Sequence, residues 1–357
     1  MRLSALVREA FRNLRSGTTR VGLLFGVSAA LISGLCAAEV TTVLAILEAS
    51  ERYRDSGASV LIVTAEGQIS GSLCEQLADI DGVRAAGAIR EADEKLIVLT
   101  LPDSPIPLYE VSPGFPSLLT RHDPTIGGLT LGEDAATALA VGPGDSVDSL
   151  QGGAIVAETY AYPVDGRRIG YSFAALEPSS DERAFDECWV DAWPPLDGLD
   201  NLLLTAVQPS AAESGEPPQL SRLNARMGDT FDGPSRFAAR LTGFSALLAG
   251  TLGFAVGWLS VRLRRLELAS ALHSGVRRGA LTGMLLLEAA FWIVPASLVA
   301  LTVSTLAASA APDGLSMPVL VLGLRILYCG AVAAFAGTAC GMATVRERHL
   351  FRYFKDR

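Results

Sequence analysis

The sequence predicts an α-helical membrane domain of four transmembrane helices, with a large extracytoplasmic α+β domain inserted between helices 1 and 2. Half of the 357 residues are hydrophobic and only 19% are charged. Four apolar runs are each long enough to cross a bilayer: residues 21–47, 241–259, 281–310 and 317–345. The stretch from 49 to 236 contains 12 Arg plus Lys and 30 Asp plus Glu, a net charge of −18, which leaves +9 for the rest of the chain.

The spacing of apolar and basic residues in the segment 1–20 predicts a cytoplasmic amphipathic helix at the membrane surface. Arg8, Arg12 and Arg15 occupy one face of this helix, and the apolar residues follow helical spacing on the other. The same residues also fit a plain basic flank of the first transmembrane helix. Both interpretations place this segment in the cytoplasm.

The predicted transmembrane helices cover residues 21–48, 237–260, 281–310 and 319–345. Each of the segments 1–20, 261–280 and 346–357 contains five cations, whereas the short outside loop 311–318 contains none. By the positive-inside rule, both termini are cytoplasmic and residues 49–236 lie outside. The first apolar run is too long for a signal peptide, so an uncleaved anchor is expected. The preference for Arg over Lys and the high Ala content favour a high-GC bacterium, with or without an outer membrane, so the expected location is the bacterial cell (inner) membrane.

Small residues recur at every fourth position in the first two predicted helices: Gly22, Gly26, Ala30 and Gly34, and then Gly253 and Gly257. This spacing aligns them on one helix face, where a second backbone can approach closely. Two interpretations follow, packing within one chain or a dimer seam formed by spans one and two of two copies.

Glu39 and Arg325 are charged residues that fall at similar depths in the first and fourth predicted helices. Charges inside a membrane usually have a partner. We therefore expect these two side chains to form an ion pair.

The inserted domain, residues 49–236, contains strand-like and helix-like segments in alternation. Strands are expected at 58–64, 83–89, 96–101, 106–111, 153–157, 172–176, 187–190 and 202–207, and helices at 70–78, 133–140 and 219–226. Cys74 and Cys188 both lie in this domain, where an oxidising compartment permits a disulfide, although two buried free thiols fit equally well. Trp189 and Trp193 lie among several acidic residues. They form either a binding platform or, as we favour, part of the core.

Several enzyme classes are excluded by what the sequence lacks. Neither of its two lysines, Lys95 and Lys355, follows a glycine, so the phosphate-binding loop of an ATPase is absent. No serine has glycines two residues away on both sides, which excludes a nucleophile elbow. With three histidines spread over both sides of the membrane, a metal site is not expected.

Three segments resemble the FtsX-like and MacB-like permeases of type VII ABC transporters, which share the predicted topology. Residues 8–15, Arg-Glu-Ala-Phe-Arg-Asn-Leu-Arg, are similar to the amphipathic entry helix of that family, and residues 138–147 to its Gly-Asp turn. Residues 264–278, followed by Glu288, resemble its coupling segment. Two positions depart from the pattern, because Ser274 replaces the usual glycine and the glutamate comes one position late.

The resemblance implies a non-catalytic permease subunit that works with two copies of a separate ABC ATPase and with a second copy of the permease. ATP and Mg would bind in the ATPase, so no cofactor is expected in this chain, and no nucleic-acid partner. The predicted contact with the ATPase consists of Glu267, Leu272, His273, Arg277 and Arg278. The arginines also fit a role in membrane topology alone.

The resemblance implies mechanotransmission, in which ATP hydrolysis changes the conformation of the extracytoplasmic domain to export or extract a hydrophobic or peptide-like substrate. An alternative is an FtsX-like regulator that activates a cell-wall hydrolase without transport. A third hypothesis is a receptor-like membrane protein that has no ATPase.

Overall fold

A computed structural model describes residues 8, 12, 13, 15, 17, 19–121, 127–179, 183–208, 217–312 and 314–346. The chain divides into two compact units. The helical unit comprises residues 1–49 and 232–357, and the sheet unit comprises residues 50–231. Most of the predicted amphipathic helix at 1–20, and all but the first residue of the tail at 346–357, lie outside the described residues.

Four helices of the described chain are long and apolar enough to cross a membrane. They are Val21–Asp55, Leu241–Arg262, Arg278–Ala308 and Ser316–Thr344, called spans one to four below. Span two begins with a 3-10 turn, Leu241–Phe244, before its α-helix, Ser245–Arg262. Two shorter helices, Gly233–Ala238 and Arg265–His273, flank span two. The chain is therefore a membrane protein, as its hydropathy predicted.

Spans two and four of the same chain pack so closely that their contact has no room for a side chain at several glycines. A Cβ atom at Gly253 would overlap the carbonyl oxygen of Gly330, and one at Gly257 would overlap that of Ala334. Gly337 faces the backbone of Phe254 in the same way. The proposal that Gly253 and Gly257 form a seam between two copies is therefore wrong, because the fourth span of the same chain already occupies that face.

The sheet unit contains, in its described residues, one nine-stranded mixed sheet. Its strands are β1 (Val60–Ile69), β2 (Val83–Glu91), β3 (Leu108–Val111), β4 (Leu129–Gly132), β5 (Ser146–Ser149), β6 (Gly152–Tyr160), β7 (Ala175–Pro178), β8 (Phe185–Ala192) and β9 (Gln219–Arg222). Their order is β5-β6-β4-β7-β3-β2-β8-β1-β9. The β3–β7 and β4–β6 pairs are parallel and the other pairs are antiparallel.

Strand β1 shows why the sheet is buried on both faces. Its side chains alternate, so Leu61 and Val63 join one hydrophobic cluster and Val60 and Ile62 join another. A strand covered on both sides needs a nearly continuous apolar run, and Val60 to Val63 provide one. The first cluster also contains Cys74 and Cys188, whose Cα atoms are 5.8 Å apart and whose sulfur atoms are bonded in the structure.

Short helices cover the sheet, and two sequence predictions for this unit are wrong. The short α-helices are Gly71–Gln76, Pro116–Thr120, Glu133–Leu139 and Leu199–Leu203, and the 3-10 helices are Leu77–Asp79, Leu204–Ala206 and Ala225–Met227. The expected strand at 202–207 is wrong, because Leu199, Leu203 and Ala206 follow helical spacing and pack into the first cluster. The expected helix at 219–226 is also wrong, since Gln219–Arg222 pairs with β1 at the edge of the sheet.

Candidate functional site

The predicted coupling residues lie on and around the helix Arg265–His273, which connects spans two and three. One face of this helix is buried, with Leu268, Ala269 and Leu272 packed against residues of spans two, three and four. The other face exposes Glu267 and His273. Leu272 is 8% exposed, so its assignment to the contact surface is wrong: the side chain anchors the helix to its own chain.

Gly275 shapes the turn that follows this helix. Its φ of +88° is in the left-handed region, and its N–H donates to the carbonyl of Leu272 at 3.0 Å. The turn leads directly to Arg277 and Arg278, which are both exposed at the start of span three. The structure therefore brings Glu267, His273, Arg277 and Arg278 together in one exposed segment.

An ion network, exposed at Glu267 and buried at Arg264 and Glu288, connects the same segment to span three. Arg264 pairs with Glu267 at 2.7 Å and also contacts Glu288, while Asn13 donates to the other carboxylate oxygen of Glu288 at 2.8 Å. The side chains of Arg264 and Glu288 are 9% and 6% exposed. Burial acts to lower the pKa of Arg264, but hydrogen bonds from its guanidinium to Glu267 and the charge of Glu288 raise it overall.

Sequence reasoning missed the role of Arg264 in this network. Glu267 stands three residues after Arg264, a spacing that pairs opposite charges on a helix, so this half of the network was readable from the sequence. The contact from Arg264 to Glu288 joins two different helices, so the spacing of the two residues in the sequence did not predict it.

Glu39 has a different partner from the one predicted. Its carboxylate accepts hydrogen bonds from Arg240 at 2.9 and 3.0 Å, and both side chains are nearly buried. Arg325 is exposed, so the predicted Glu39–Arg325 pair is wrong. Arg240 lies just before span two, which begins at Leu241.

The small residues of span one remain uncovered within the described chain. A Cβ added to Gly22, Gly26 or Gly34 would have no described atom within 4 Å, and Ala30 is exposed. This half of the predicted dimer seam therefore stays a prediction.

Aromatic residues of the sheet unit lie inside its core. Trp189 is fully buried and packs against Phe115 and Tyr171. Burial raises the pKa of Tyr160 and Tyr171 well above the ordinary value, so these hydroxyls stay neutral. For Trp189 the core interpretation is confirmed, and an aromatic binding platform at this position is excluded.

Comparisons with known proteins were made for the whole chain. Residues 241–348, which contain spans two to four and the candidate coupling residues, match the family described as FtsX-like permease C-terminal. Among solved structures, the chain is similar to the periplasmic region of MacB from Actinobacillus actinomycetemcomitans, with 12% identity, a TM-score of 0.36, and coverage of 49% of this chain and 94% of that chain. No curated protein matches. The match to the FtsX-like permease C-terminal family therefore covers spans two to four of this chain.

Proposed function

We propose that this chain is the permease subunit of an ABC transporter in a bacterial cell membrane. A separate ATPase subunit binds the exposed surface formed by Glu267, His273, Arg277 and Arg278, and ATP with Mg binds in that subunit. The observation that carries the proposal is the two-faced helix Arg265–His273. Its buried face is anchored to three spans, and its other face is exposed with charged groups.

The Arg264 network suggests how force passes from this surface to the membrane. Arg264 holds both Glu267, on the exposed surface, and Glu288, inside span three. A movement imposed on the helix by the ATPase is therefore carried to span three through a buried ion pair as well as through apolar packing. In the working transporter two permeases and two ATPases act together, and this motion changes the conformation of the sheet unit outside the cell.

The first test is co-purification of the tagged full-length chain from its native membrane in mild detergent. We expect an ATPase subunit in equal amount. Glu267→Arg and Arg277→Glu should each lower its recovery at least about 10-fold, the effect of losing a strong contact at an interface. Glu133→Arg, a charge reversal at an exposed glutamate of the sheet unit, should leave recovery unchanged. Absence of an ATPase in the wild-type preparation would contradict the proposal.

A second test separates transport from regulation. The permease and ATPase are reconstituted together in proteoliposomes, and ATP hydrolysis is measured with hydrophobic and peptide-like candidate substrates. Stimulation by a substrate supports export or extraction. Stimulation of a cell-wall hydrolase by the same proteoliposomes, without any substrate effect, supports the regulatory alternative.

A further inference from the structure

The chain joins the helical unit to the sheet unit at two points, after Ala49 and before Asp232. At the first connection the helix Val21–Asp55 continues from one unit into the other without a break. The second connection, residues 232–240, contains the short helix Gly233–Ala238. A helix of six residues is marginal in water by itself, so it needs contacts with the rest of the chain.

An ion pair holds the second connection at the end next to span two. Arg240 donates two hydrogen bonds to Oε1 of Glu39, from Nε at 3.0 Å and from Nη2 at 2.9 Å. The side chains of Arg240 and Glu39 are 10% and 4% exposed, so water competes little with this charge-assisted contact. Arg240 Nη1 also donates to the carbonyl oxygen of Phe237. The last turn of the connection is therefore tied to span one.

An aromatic cluster holds the same connection at its other end. The rings of Tyr53, Trp193 and Phe231 contact one another, with centroids 5.7 to 6.0 Å apart. Tyr53 belongs to the helix of span one, and Phe231 is the residue before the connection begins. Tyr53 and Phe231 are both buried. Each end of the second connection is thus fixed to the helix that forms the first.

Between these two ends the second connection is open to water. From Asp232 to Ala239 every residue is exposed except Gly233, which is half-buried. The Arg236 N–H donates to the carbonyl of Asp232 at 3.2 Å, and the Ala239 N–H is bonded within the same segment at 2.9 Å. Such amides exchange with solvent when the helix opens locally, so their exchange rate reports how firmly the connection is held.

We propose that Glu39 and Arg240 are positioning residues that fix the second connection to span one, so that both connections carry the motion of the spans to the sheet unit together. This inference rests on the proposed function, in which an ATPase moves the spans. Without the pair, the connection loses its hold at the end next to span two. Its short helix then opens, and motion of span two is absorbed there instead of being passed on.

The hold on the connection is tested by hydrogen–deuterium exchange of the full chain in detergent, read in the peptide that contains residues 232–240. Glu39→Gln should speed exchange there at least about 10-fold, the effect of losing one charge-assisted hydrogen bond. Glu48→Gln, at an exposed glutamate of the same helix, is the matched control and should leave the exchange unchanged. The double variant Glu39→Gln with Arg240→Ala leaves no buried charge, and it decides the question if Glu39→Gln does not elute as a folded species. Exchange at the wild-type rate in the variant that decides would overturn the proposal.

The role in transmission is tested in proteoliposomes that contain the permease and its ATPase. ATP should change hydrogen exchange in the sheet unit of the wild-type complex. The Glu39→Gln complex should still hydrolyse ATP but lose most of this change, whereas a merely structural role would lower both together. Glu39→Asp keeps the charge and should restore part of the change. An ATP-driven change as large in Glu39→Gln as in the wild type would overturn the proposal.

Failure of this inference is distinguishable from failure of the proposed function. Exchange in residues 232–240 is measured on the permease alone and does not depend on an ATPase. A wild-type chain that binds no ATPase overturns the proposed function and, with it, the role of the ion pair in transmission. A wild-type complex that hydrolyses ATP while exchange in the sheet unit stays constant overturns the role in transmission and leaves the binding of the ATPase intact.

Discussion

The helical unit and the sheet unit differ in the aromatic side chains that they bury and in the large apolar side chains that they expose. The sheet unit encloses large side chains, among them Trp189, Tyr160, Phe115, Ile62 and Leu176. The helical unit buries few aromatic side chains in the described chain, Trp292 among them, and packs alanines such as Ala296 and Ala300 beside Ile293. Its exposed side chains include large apolar ones, such as Leu247, Leu298, Leu306 and Val321.

The difference follows from the solvent around each unit. In water, burial of a large apolar side chain is strongly favourable, so the sheet unit gains most from its aromatic core. In lipid, burial of a leucine gains little, and helices associate through close backbone contact at small residues and through polar pairs. Stability should therefore depend on ion pairs and glycines in the helical unit, and on cross-links and apolar bulk in the sheet unit.

The largest expected effect comes from the buried ion pair of the helical unit. Arg264→Gln leaves Glu288 without its charged partner, which should cost about 4 kcal/mol of stability. The measurement is the thermal midpoint in detergent, read by size exclusion after heating. The double variant Arg264→Gln with Glu288→Gln should recover part of the loss, because no buried charge then remains. Equal losses in the single and double variants would show that the pair does not stabilise the unit.

An exposed ion pair in the sheet unit provides the contrast. Arg121 and Asp55 are 53% and 57% exposed, so Arg121→Gln should change stability by at most about 1 kcal/mol. A loss of stability as large as that of Arg264→Gln would contradict the expected difference between a buried ion pair in the helical unit and an exposed one in the sheet unit.

Removal of the disulfide between Cys74 and Cys188 should cause the second-largest loss of stability. It closes a loop with a sequence separation of 114 residues, and its removal by Cys74→Ala with Cys188→Ala should cost about 3 kcal/mol. Labelling of the denatured chain with a maleimide polymer tests the bond itself. Without reductant three thiols should react, those of Cys36, Cys329 and Cys340, and with reductant all five. Five reactive thiols before reduction would contradict the bond.

Replacement of glycine by alanine is expected to have different effects on stability at two positions of span two. Gly257→Ala places a Cβ against the carbonyl oxygen of Ala334, and the forced separation of the helices should cost about 2 kcal/mol. Gly250→Ala has no described atom within 4 Å of its new Cβ and should be neutral or slightly stabilising. The comparison of the two thermal midpoints tests the close packing of spans two and four.

The smallest effect on folding is expected in span one. Gly26→Leu adds a side chain where the described chain has open space, so the thermal midpoint of the single chain should not change. If two permeases meet at this face, the same substitution should lower the dimer fraction measured by light scattering in detergent. An unchanged dimer, or a monomer in both proteins, would exclude span one as the seam.

Local features were predictable because they depend on neighbouring residues. The apolar runs predicted the four spans, and the apolar segment at 58–64 predicted strand β1. Short apolar runs were ambiguous: residues 202–207 were expected to be a strand, and Leu199, Leu203 and Ala206 instead lie on one face of a helix and a 3-10 turn. Glu267, Arg277 and Arg278, which the sequence predicts as coupling residues, are exposed as such a role requires, whereas the burial of Leu272 was not predicted.

The sequence by itself therefore determined the membrane spans, the acidic inserted domain and the resemblance to a permease family. These follow from hydropathy, charge and short motifs, which act over a few neighbouring residues. Only the tertiary structure decided that Glu39 pairs with Arg240 and that Gly257 faces span four. Those choices depend on distances between residues far apart in the chain, and such distances exist only once the elements have packed.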